Sequence, residues 1–176
     1  NEAFFHWIAT GTAFVTLKMA MTLDGKIATA DGQSQWITGA EARAEVQRLR
    51  READAVMVGG ETVRADNPSL LVRDPANWPR QPVRFVWTRR GADEFPPDTR
   101  LLTDEHSSAT RLVHPSGEPQ WRSFVRQLGA EGRTSLLVEG GGELAADLLR
   151  GHVVSRVVWF IAPRILGGAG SRPAVG

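Results

Sequence analysis

The stretch SLLVEGGGELAADLLRG, from Ser135 to Gly151, decides the fold that we predict for this chain. Its first four residues predict a short strand, Glu139 and three glycines follow, and the residues after the glycines predict a helix that ends at Gly151. A strand that turns through glycines into a helix presents free backbone N–H groups at the helix N-terminus, where the helix dipole also attracts an anion. The stretch therefore predicts a strand–helix unit with an anion-binding turn.

The glycine spacing of this turn has two interpretations. Gly140, Gly142 and Ala145 match the dinucleotide-binding spacing, in which glycines allow close approach of the backbone and a small residue allows helix packing. Three glycines are equally consistent with a tight turn that binds nothing. The acidic ribose ligand of an ordinary NAD site, expected about 20 residues further on, is missing, and Arg156 and Arg164 are the charged residues there. This argues against an ordinary NAD site and leaves a phosphate-bearing ligand, NADPH included, open.

Composition narrows the class of protein. The 176 residues suit one domain, and 21 basic and 20 acidic residues are interspersed, so the basic stripe of a nucleic-acid-binding protein is missing. The absence of cysteine excludes a disulfide framework and a thiolate metal site. Without an apolar run of membrane-spanning length or a basic signal-peptide front, we expect a cytoplasmic protein with no membrane or nucleic-acid partner.

Strand and helix patterns alternate along the chain, which predicts an α/β fold with a mainly parallel sheet. The predicted strands are 14–21, 27–30, 55–58, 83–87, 110–114, 135–138 and 157–162. The predicted helices are 2–9 with Asn1 as N-cap, 39–53, 119–129 and 143–150. We predict polar loops at 62–68 and 91–108, and no strand after Gly170.

The helix that follows Thr38 carries the clearest start signal. Thr38 and Glu41 form a capping-box pattern, and apolar residues recur at 42, 46, 49 and 53 on one face. We predict that Arg43, Gln47 and Arg50 point away from that apolar stripe.

Two groups of basic residues have alternative interpretations. Lys18 lies in the middle of the first strand, where it either extends to water or points into a polar cleft. Arg89 and Arg90 follow the strand at 83–87, where they either clamp a 2′-phosphate or belong to a solvated basic loop.

Several common kinds of site are not indicated. The four histidines lie far apart without metal-ligand spacing, the Gly-x-Ser-x-Gly turn of serine hydrolases is missing, and Glu143 and Leu144 follow the glycines where a Walker loop has its lysine. What remains is a set of polar residues near predicted strand ends.

Four stretches that contain such polar residues resemble stretches of a known family, and they occur in the same order along the chain as in that family. They are KMAMTLDGK from Lys18, SQWIT from Ser34, VGGETVRADNP from Val58 and VEGGG from Val138. Together they resemble the reductase domain of the bifunctional riboflavin-biosynthesis deaminase/reductase over nearly the whole chain. The resemblance implies a three-layer fold similar to dihydrofolate reductase, with a central, mostly parallel sheet flanked by helices. It also implies NADPH-dependent reduction of the ribosyl group of 5-amino-6-(5-phosphoribosylamino)uracil to ribityl.

The resemblance further implies roles for individual residues. Those expected to face the phosphoribosyl-pyrimidine substrate are Ser34, Arg50, Leu70, Arg73 and Glu139. Those expected to face NADPH are Ala20, Ile27, Trp36, Thr62, Asp66, Thr88, Gly141, Gly142, Glu143, Leu144, Ala145, Ala146 and Asp147. Lys18 and Glu139 would be catalytic and flank the reacting sugar carbon. Because the sugar ring must open to an imine-like carbon before hydride adds, we assign Lys18 as the proton donor to the ring oxygen.

The same resemblance gives the domain organisation that we expect. Residues 1–12 resemble the segment that connects the deaminase to the reductase, and residues 13–176 resemble the reductase domain, which in the family continues into one more strand. We therefore expect a deaminase domain N-terminal to this chain, a missing C-terminal strand that leaves an open sheet edge, and a homodimer. Two alternatives stay open: another dihydrofolate-reductase-like enzyme that reduces a pyrimidine or a folate, and an inactive NADPH-binding module.

Overall fold

The computed structural model describes residues 1–30, 39–114 and 120–176. Its strands are β1 (Phe14–Thr22), β2 (Lys26–Ala28), β3 (Ala55–Gly59), β4 (Val83–Trp87), β5 (Thr110–Val113), β6 (Ser135–Glu139), β7 (Arg156–Ala162) and β8 (Arg172–Pro173). Its helices are α1 (Glu2–Thr10), α2 (Ala40–Glu52), α3 (Gly60–Asp66), α4 (Arg100–Thr103), α5 (Trp121–Ala130) and α6 (Gly142–Arg150). None of these helices has the length and apolar character that crossing a bilayer requires.

Six strands form one parallel sheet in the order β5-β4-β3-β6-β1-β7. On one face, Leu128 of α5 and Leu148 of α6 pack against Leu17 and the other apolar residues of the strands. On the other face, Leu49 of α2 and Val63 of α3 complete a second apolar core. Each fully buried leucine contributes about 1.5–3 kcal/mol to folding. Because the six strands are parallel, their carboxyl ends, and hence the starts of α3 and α6, lie at the same edge of the sheet.

Most predicted elements are confirmed. The seven predicted strands are present, and their ends match the predicted ones to within two residues. Helix α1 has Asn1 as its N-cap, whose side chain accepts a hydrogen bond from the Phe4 N–H, and Gly11 ends it with a φ of 69°. Helix α6 begins at Gly142 directly after the glycine turn. The predicted N-cap Thr38 lies outside the described residues, and the structure begins α2 after Gly39, without a side-chain cap.

The predicted loop at 62–68 is wrong. Residues Gly60–Asp66 form α3, and Asn67 ends the helix with a φ of 41°. The polar run up to Pro68 indicated a loop, but Val63 is buried against the sheet, and this contact holds the short helix in place. Tertiary packing thus outweighs a weak local preference.

The predicted orientation of Gln47 and Arg50 is also wrong. Only 9% of Gln47 and 8% of Arg50 is exposed, because both side chains have polar partners under the helix. The Gln47 side-chain oxygen accepts a hydrogen bond from the Arg73 N–H at 2.6 Å, and Arg50 pairs with Glu139. Arg43, by contrast, is exposed as predicted.

Two predictions for the last third and the middle of the chain need correction. A strand does follow Gly170, because β8 pairs antiparallel with β2 to form a separate two-stranded sheet. The predicted loop at 91–108 contains α4 and two short 3₁₀ turns, Ala92–Glu94 and Ser107–Ala109.

A buried ion pair fixes the loop at 91–108. The Arg84 side chain is fully buried, and its guanidinium donates to both Asp104 carboxylate oxygens, at 2.6 and 2.7 Å. The same guanidinium donates to the Ser69 and Leu101 carbonyl oxygens. Burial by itself would raise the pKa of Asp104, but the hydrogen bonds and charge of Arg84 hold it below its usual value. Arg84 thus joins β4 to the loop before Leu70 and to α4.

We expect Asp104→Ala to lower the free energy of unfolding by about 3–5 kcal/mol, because it leaves the buried Arg84 charge without its counterion. Urea unfolding measures the change. The matched control is Glu105→Ala, whose side chain is 84% exposed and whose loss should cost less than about 0.5 kcal/mol. Equal effects of the two substitutions would contradict the structural role of the pair.

Candidate functional site

The end of β6 brings two predicted catalytic residues together. In the parallel pairing of β1 with β6, Lys18 lies directly opposite Glu139, so their side chains share one face of the sheet. The Lys18 ammonium lies 5.3 Å from the centre of the Phe160 ring, on the neighbouring strand β7. Lys18 is only partly exposed and lies within reach of charged groups. Of the two interpretations of Lys18, the structure supports the polar cleft.

Glu139 is held by a two-pronged ion pair. Arg50 Nε donates to Glu139 Oε1 at 2.6 Å, and Arg50 Nη2 donates to Glu139 Oε2 at 3.0 Å. Both side chains are about nine-tenths buried, and the remaining guanidinium nitrogen donates to the Leu71 carbonyl oxygen at 3.1 Å. Bidentate pairing of this kind fixes the orientation of both groups. The pair therefore connects α2, β6 and the loop around Leu71.

Burial and charge act differently on the two titrating groups. Burial would raise the pKa of Glu139, but the charge and hydrogen bonds of Arg50, with the charges of Lys18 and Arg73, hold it below its usual value. Burial lowers the pKa of Lys18, the charge of Glu139 opposes this, and the charge of Arg50 adds to it. The site therefore combines a firmly ionised carboxylate with an ammonium that releases its proton more readily than an exposed lysine does.

The loop at 68–73 borders the same cluster. Leu70 is buried with a φ of 56°, a conformation that is uncommon for a side chain of this size. Arg73 follows at the surface, and its backbone is held by Gln47. Among the described residues, the Arg73 side chain has neither a hydrogen-bond nor an ion-pair partner. The structure thus places one paired arginine, Arg50, and one unpaired arginine beside Glu139.

The glycine turn has room for a ligand at one position. Among the described residues, a Cβ atom added at Gly141 would meet only the Thr62 hydroxyl oxygen, at 3.8 Å, whereas one added at Gly140 would lie 2.8 Å from the Leu144 side chain. Gly141 is the N-cap of α6 and Thr62 lies in the first turn of α3. The starts of the two helices therefore lie close together without crowding at Gly141, and their free backbone N–H groups with the Thr62 hydroxyl fit a group that carries a pyrophosphate.

The remaining predicted cofactor residues fall into three groups. Leu144, Ala145 and Ala146 have buried side chains, so this part of α6 can contact a ligand only through its backbone. Asp147 pairs with Arg150 at 2.7 Å. Glu143 is exposed in the first turn of the helix.

Ala20 and Thr88 lie near the same edge of the sheet from two different strands. Ala20 follows Lys18 on the same face of β1, and Thr88 is buried beside Gly60 at the end of β4. Ile27 packs against the first core from β2, and Asp66 is exposed at the end of α3. These residues are more widely spread than the cluster around Glu139.

Three further predictions concern Ser34, Trp36 and the pair Arg89–Arg90. Ser34 and Trp36 lie outside the described residues. Arg89 and Arg90 are exposed, and both the phosphate clamp and the solvated loop stay open for them.

Sequence reasoning missed two residues that shape the site. Gln47 holds the loop that carries Arg73, and its spacing of three residues from Arg50 could have indicated a polar contact on one helix face. Phe160 lies next to the Lys18 ammonium, but it occurs in an apolar strand with no local signal that separates it from core residues.

Two cavities lie at the opposite end of the sheet. One of about 490 Å³ is bordered by His6, Arg122 and Arg126, and one of about 320 Å³ by Glu2, Glu52 and Arg156. Both lie near the amino-terminal ends of the strands, away from Lys18 and Glu139. The convergence of charged groups therefore identifies the candidate site better than cavity size does. No metal-binding group of three or more His, Asp or Glu residues occurs within 1–30, 39–114 and 120–176.

Comparison with known proteins gives a consistent result. The family model described as the RibD C-terminal domain matches residues 13–176. The chain is 41% identical over 165 residues to the riboflavin biosynthesis protein RibD of Mycobacterium tuberculosis, and covers 46% of that protein. It is 36% identical over 199 residues to the RibD protein of Actinobacillus pleuropneumoniae, and covers 52% of it. The chain spans about half the length of these curated relatives.

Solved structures confirm the fold that the resemblance implied. Acinetobacter baumannii RibD superimposes with a TM-score of 0.84 at 26% identity, over 100% of this chain and 52% of that one. A Thermotoga maritima protein described as a diaminohydroxyphosphoribosylaminopyrimidine deaminase/5-amino-6-(5-phosphoribosylamino)uracil reductase superimposes with a TM-score of 0.82 at 30% identity, over 98% of this chain and 50% of that one. The three-layer, dihydrofolate-reductase-like architecture with its parallel sheet is therefore confirmed.

We expect Glu139→Gln to lower the free energy of unfolding at pH 7 by about 3 kcal/mol, because Arg50 loses its buried counterion. Folding lowers the pKa of Glu139 from 4.5, so its stabilisation is present above that value and is lost as the pH falls through the lowered one. Urea unfolding at pH 7 and at lower pH should therefore show a difference that shrinks with acidification.

The matched control for this measurement is Glu52→Gln, which removes an exposed carboxylate paired with Arg48. It should cost less than about 1 kcal/mol. A Glu139→Gln effect as small as this, or one that does not change with pH, would contradict the buried pair.

Proposed function

Because the chain belongs to the RibD C-terminal domain family, we propose that it is the reductase of riboflavin biosynthesis that converts the ribosyl group of 5-amino-6-(5-phosphoribosylamino)uracil to ribityl with NADPH. The observation that carries this proposal is the cluster of Lys18, Glu139 and Arg50, in which Glu139 directly precedes the glycine turn. A proton donor and an anion-binding turn at one strand end suit a reduction that needs both.

The start of α6 supports a nicotinamide cofactor with a phosphate-rich tail. In this proposal the backbone N–H groups that follow Gly141 bind the pyrophosphate, and Thr62 contributes a hydroxyl from the facing helix. Arg89 and Arg90 would give the preference for NADPH over NADH by contacting its 2′-phosphate. NADPH supplies the hydride when bound, and the protein supplies orientation and charge.

Arg73 is the better candidate for binding the substrate phosphate. Each nitrogen of the Arg50 guanidinium already donates to Glu139 or to the Leu71 carbonyl, which leaves two of its five N–H groups. The exposed Arg73 side chain has no partner within the described part of the chain, so its five N–H groups can serve a phosphate. We assign Arg73 the primary contact, and Arg50 the task of holding Glu139 in place beside the sugar.

Lys18 is the proton donor in this proposal. Its pKa is lowered by burial, so the ammonium gives up a proton to the sugar ring oxygen more easily than an exposed lysine. Glu139 stays ionised and attracts the positive charge that develops when the ring opens. The ionised carboxylate thus stabilises a charge and does not transfer the proton.

The domain organisation is part of the proposal. The chain covers about half of its curated relatives, and the Thermotoga maritima protein named above is described as both a deaminase and a reductase. We propose that residues 1–12 connect the reductase to a deaminase portion and that residues 13–176 form the reductase. We also propose a homodimer, which would cover the exposed side chains of Val157, Trp159 and Ile161 on the edge strand β7.

The direct test follows NADPH oxidation by absorbance with the purified chain. We expect turnover with 5-amino-6-(5-phosphoribosylamino)uracil and none with its undeaminated precursor or with dihydrofolate. Replacing NADPH by NADH should reduce kcat/KM by at least about tenfold, which corresponds to 1.4 kcal/mol. Turnover with the precursor or with dihydrofolate instead would support another reductase of this fold. NADPH binding without any turnover would support an inactive binding module.

A second prediction concerns Lys18. We expect Lys18→Met to reduce kcat by about 10²–10⁴-fold, the usual contribution of a general acid, with NADPH affinity and thermal stability unchanged or improved. In the wild type, kcat should fall as the pH rises through the lowered pKa of Lys18, below its ordinary value of 10.5. A variant that keeps more than about a tenth of wild-type kcat would show that another group donates the proton.

A further inference from the structure

The turn between β1 and β2 makes contacts with a segment far along the chain. The Asp24 carboxylate accepts the Leu166 N–H on Oδ1, at 3.1 Å, and the Gly167 N–H on Oδ2, at 2.8 Å. The Thr22 hydroxyl also donates to Oδ1, at 2.6 Å. Both carboxylate oxygens are therefore engaged, and two of the three donors come from a segment more than 140 residues away. These hydrogen bonds lower the pKa of Asp24 to about 2, so the carboxylate is ionised at neutral pH.

The contacts of Asp24 belong to a continuous seam. The Leu23 N–H donates to the Arg164 carbonyl at 2.9 Å, and the Lys26 ammonium donates to the Ser171 carbonyl at 3.4 Å. Strand β2 pairs with β8, and the Ala174 N–H donates to the Gly25 carbonyl at 2.9 Å. We call residues 163–176 the closing segment. The turn around Asp24 thus holds this segment along much of its length.

The closing segment ends against the glycine turn of α6. A Cβ atom added at Gly142 would lie 2.8 Å from the Pro173 carbonyl oxygen and 3.3 Å from that of Ala174. The Gly176 N–H donates to the Gly142 carbonyl at 3.4 Å. Because only a glycine leaves room for this approach, the segment forms one wall beside the first turn of α6.

Asp24 binds the closing segment at the start of a glycine-rich turn. Gly167 and Gly168 both have positive φ, at 65° and 78°, and the Ser171 hydroxyl donates to the Gly167 carbonyl at 2.6 Å. A glycine-rich turn loses much conformational entropy when it is fixed in one arrangement. The two N–H groups bound by Asp24 lie at the start of this turn, so the carboxylate sets the direction in which the rest of the segment continues.

We propose that Asp24 is a positioning residue for cofactor binding, which holds the closing segment against the start of α6 and so preforms one wall of the NADPH site. This inference rests on the proposed function. Asp24 touches neither the glycine turn nor the Lys18–Glu139 pair, and it acts through the segment that it binds. Its loss should therefore weaken NADPH binding and leave the chemical step unchanged.

The test compares wild type with Asp24→Ala, which removes both acceptor oxygens, and with Asp24→Asn, which keeps one. We expect the Kd and KM for NADPH to rise about tenfold or more in Asp24→Ala, equivalent to 1.4 kcal/mol, and by less in Asp24→Asn. The KM for the substrate and kcat at saturating NADPH should stay near wild type. Asp93→Asn, a change of an exposed loop carboxylate, is the matched control and should leave all of these values unchanged.

Hydrogen exchange of the chain without cofactor gives an independent readout. In Asp24→Ala the amides of Leu166, Gly167 and Gly176 should exchange faster, while those of the central strands should not. Ser171→Ala, which breaks the next contact along the segment, should change NADPH affinity in the same direction by a smaller factor. This variant keeps the inference testable if Asp24→Ala does not fold.

Other results of these experiments would contradict either the role of Asp24 alone or the proposed function as well. Unchanged NADPH affinity in both Asp24 variants, unchanged exchange in the closing segment, or an equal loss in kcat would overturn the inference and leave the proposed function intact. Tighter NADPH binding by Asp24→Asn would also overturn it, because the negative charge of Asp24 would then matter more than its hydrogen bonds. A wild-type chain that binds no NADPH would overturn the proposed function and this inference together.

Discussion

The bidentate pairing of Arg50 with Glu139 is the interaction on which the candidate site depends. It removes two charges from water, which is costly unless each finds a well-aligned partner. Here the arginine comes from α2 and the carboxylate from the end of β6, and the third guanidinium nitrogen binds the loop that carries Leu70 and Arg73. One ion pair therefore fixes the relative positions of a helix, a strand end and a loop. It also fixes the position of the Glu139 charge beside Lys18.

The parallel sheet explains why this pair lies where a ligand could bind. All six strands have their carboxyl ends at one edge of the sheet. Glu139, Gly59 and Thr88 therefore lie on the same side of the molecule, although they are far apart in the sequence. Helices α3 and α6 start at that edge and direct their free N–H groups towards it. In open α/β sheets this edge is where ligands bind, and Pro173 of the small β2–β8 sheet lies against Gly142 at the start of α6.

Local sequence patterns predicted many elements because their signals are local. Alternating and continuous apolar runs identified the strands, and the glycines after Glu139 located the start of α6. The errors arose where a long-range contact decides the outcome. The polar stretch around Val63 is helical because Val63 packs against the sheet. Gln47 and Arg50 face inwards because the Arg73 backbone and Glu139 provide them with buried polar partners. Helical periodicity alone assigns such polar residues to the outside.

The sequence by itself determined the parallel α/β class, the glycine turn and, through the order of four short runs, the family. Periodicity, turn chemistry and motif order are properties of neighbouring residues, so they can be read without coordinates. Only the tertiary structure decided that Lys18 faces Glu139, that Arg50 is paired whereas Arg73 has no side-chain partner among the residues that the structure describes, and that Asp24 holds a segment more than 140 residues away. These contacts depend on strand register and on loop paths across the sheet edge, which no single stretch of sequence encodes.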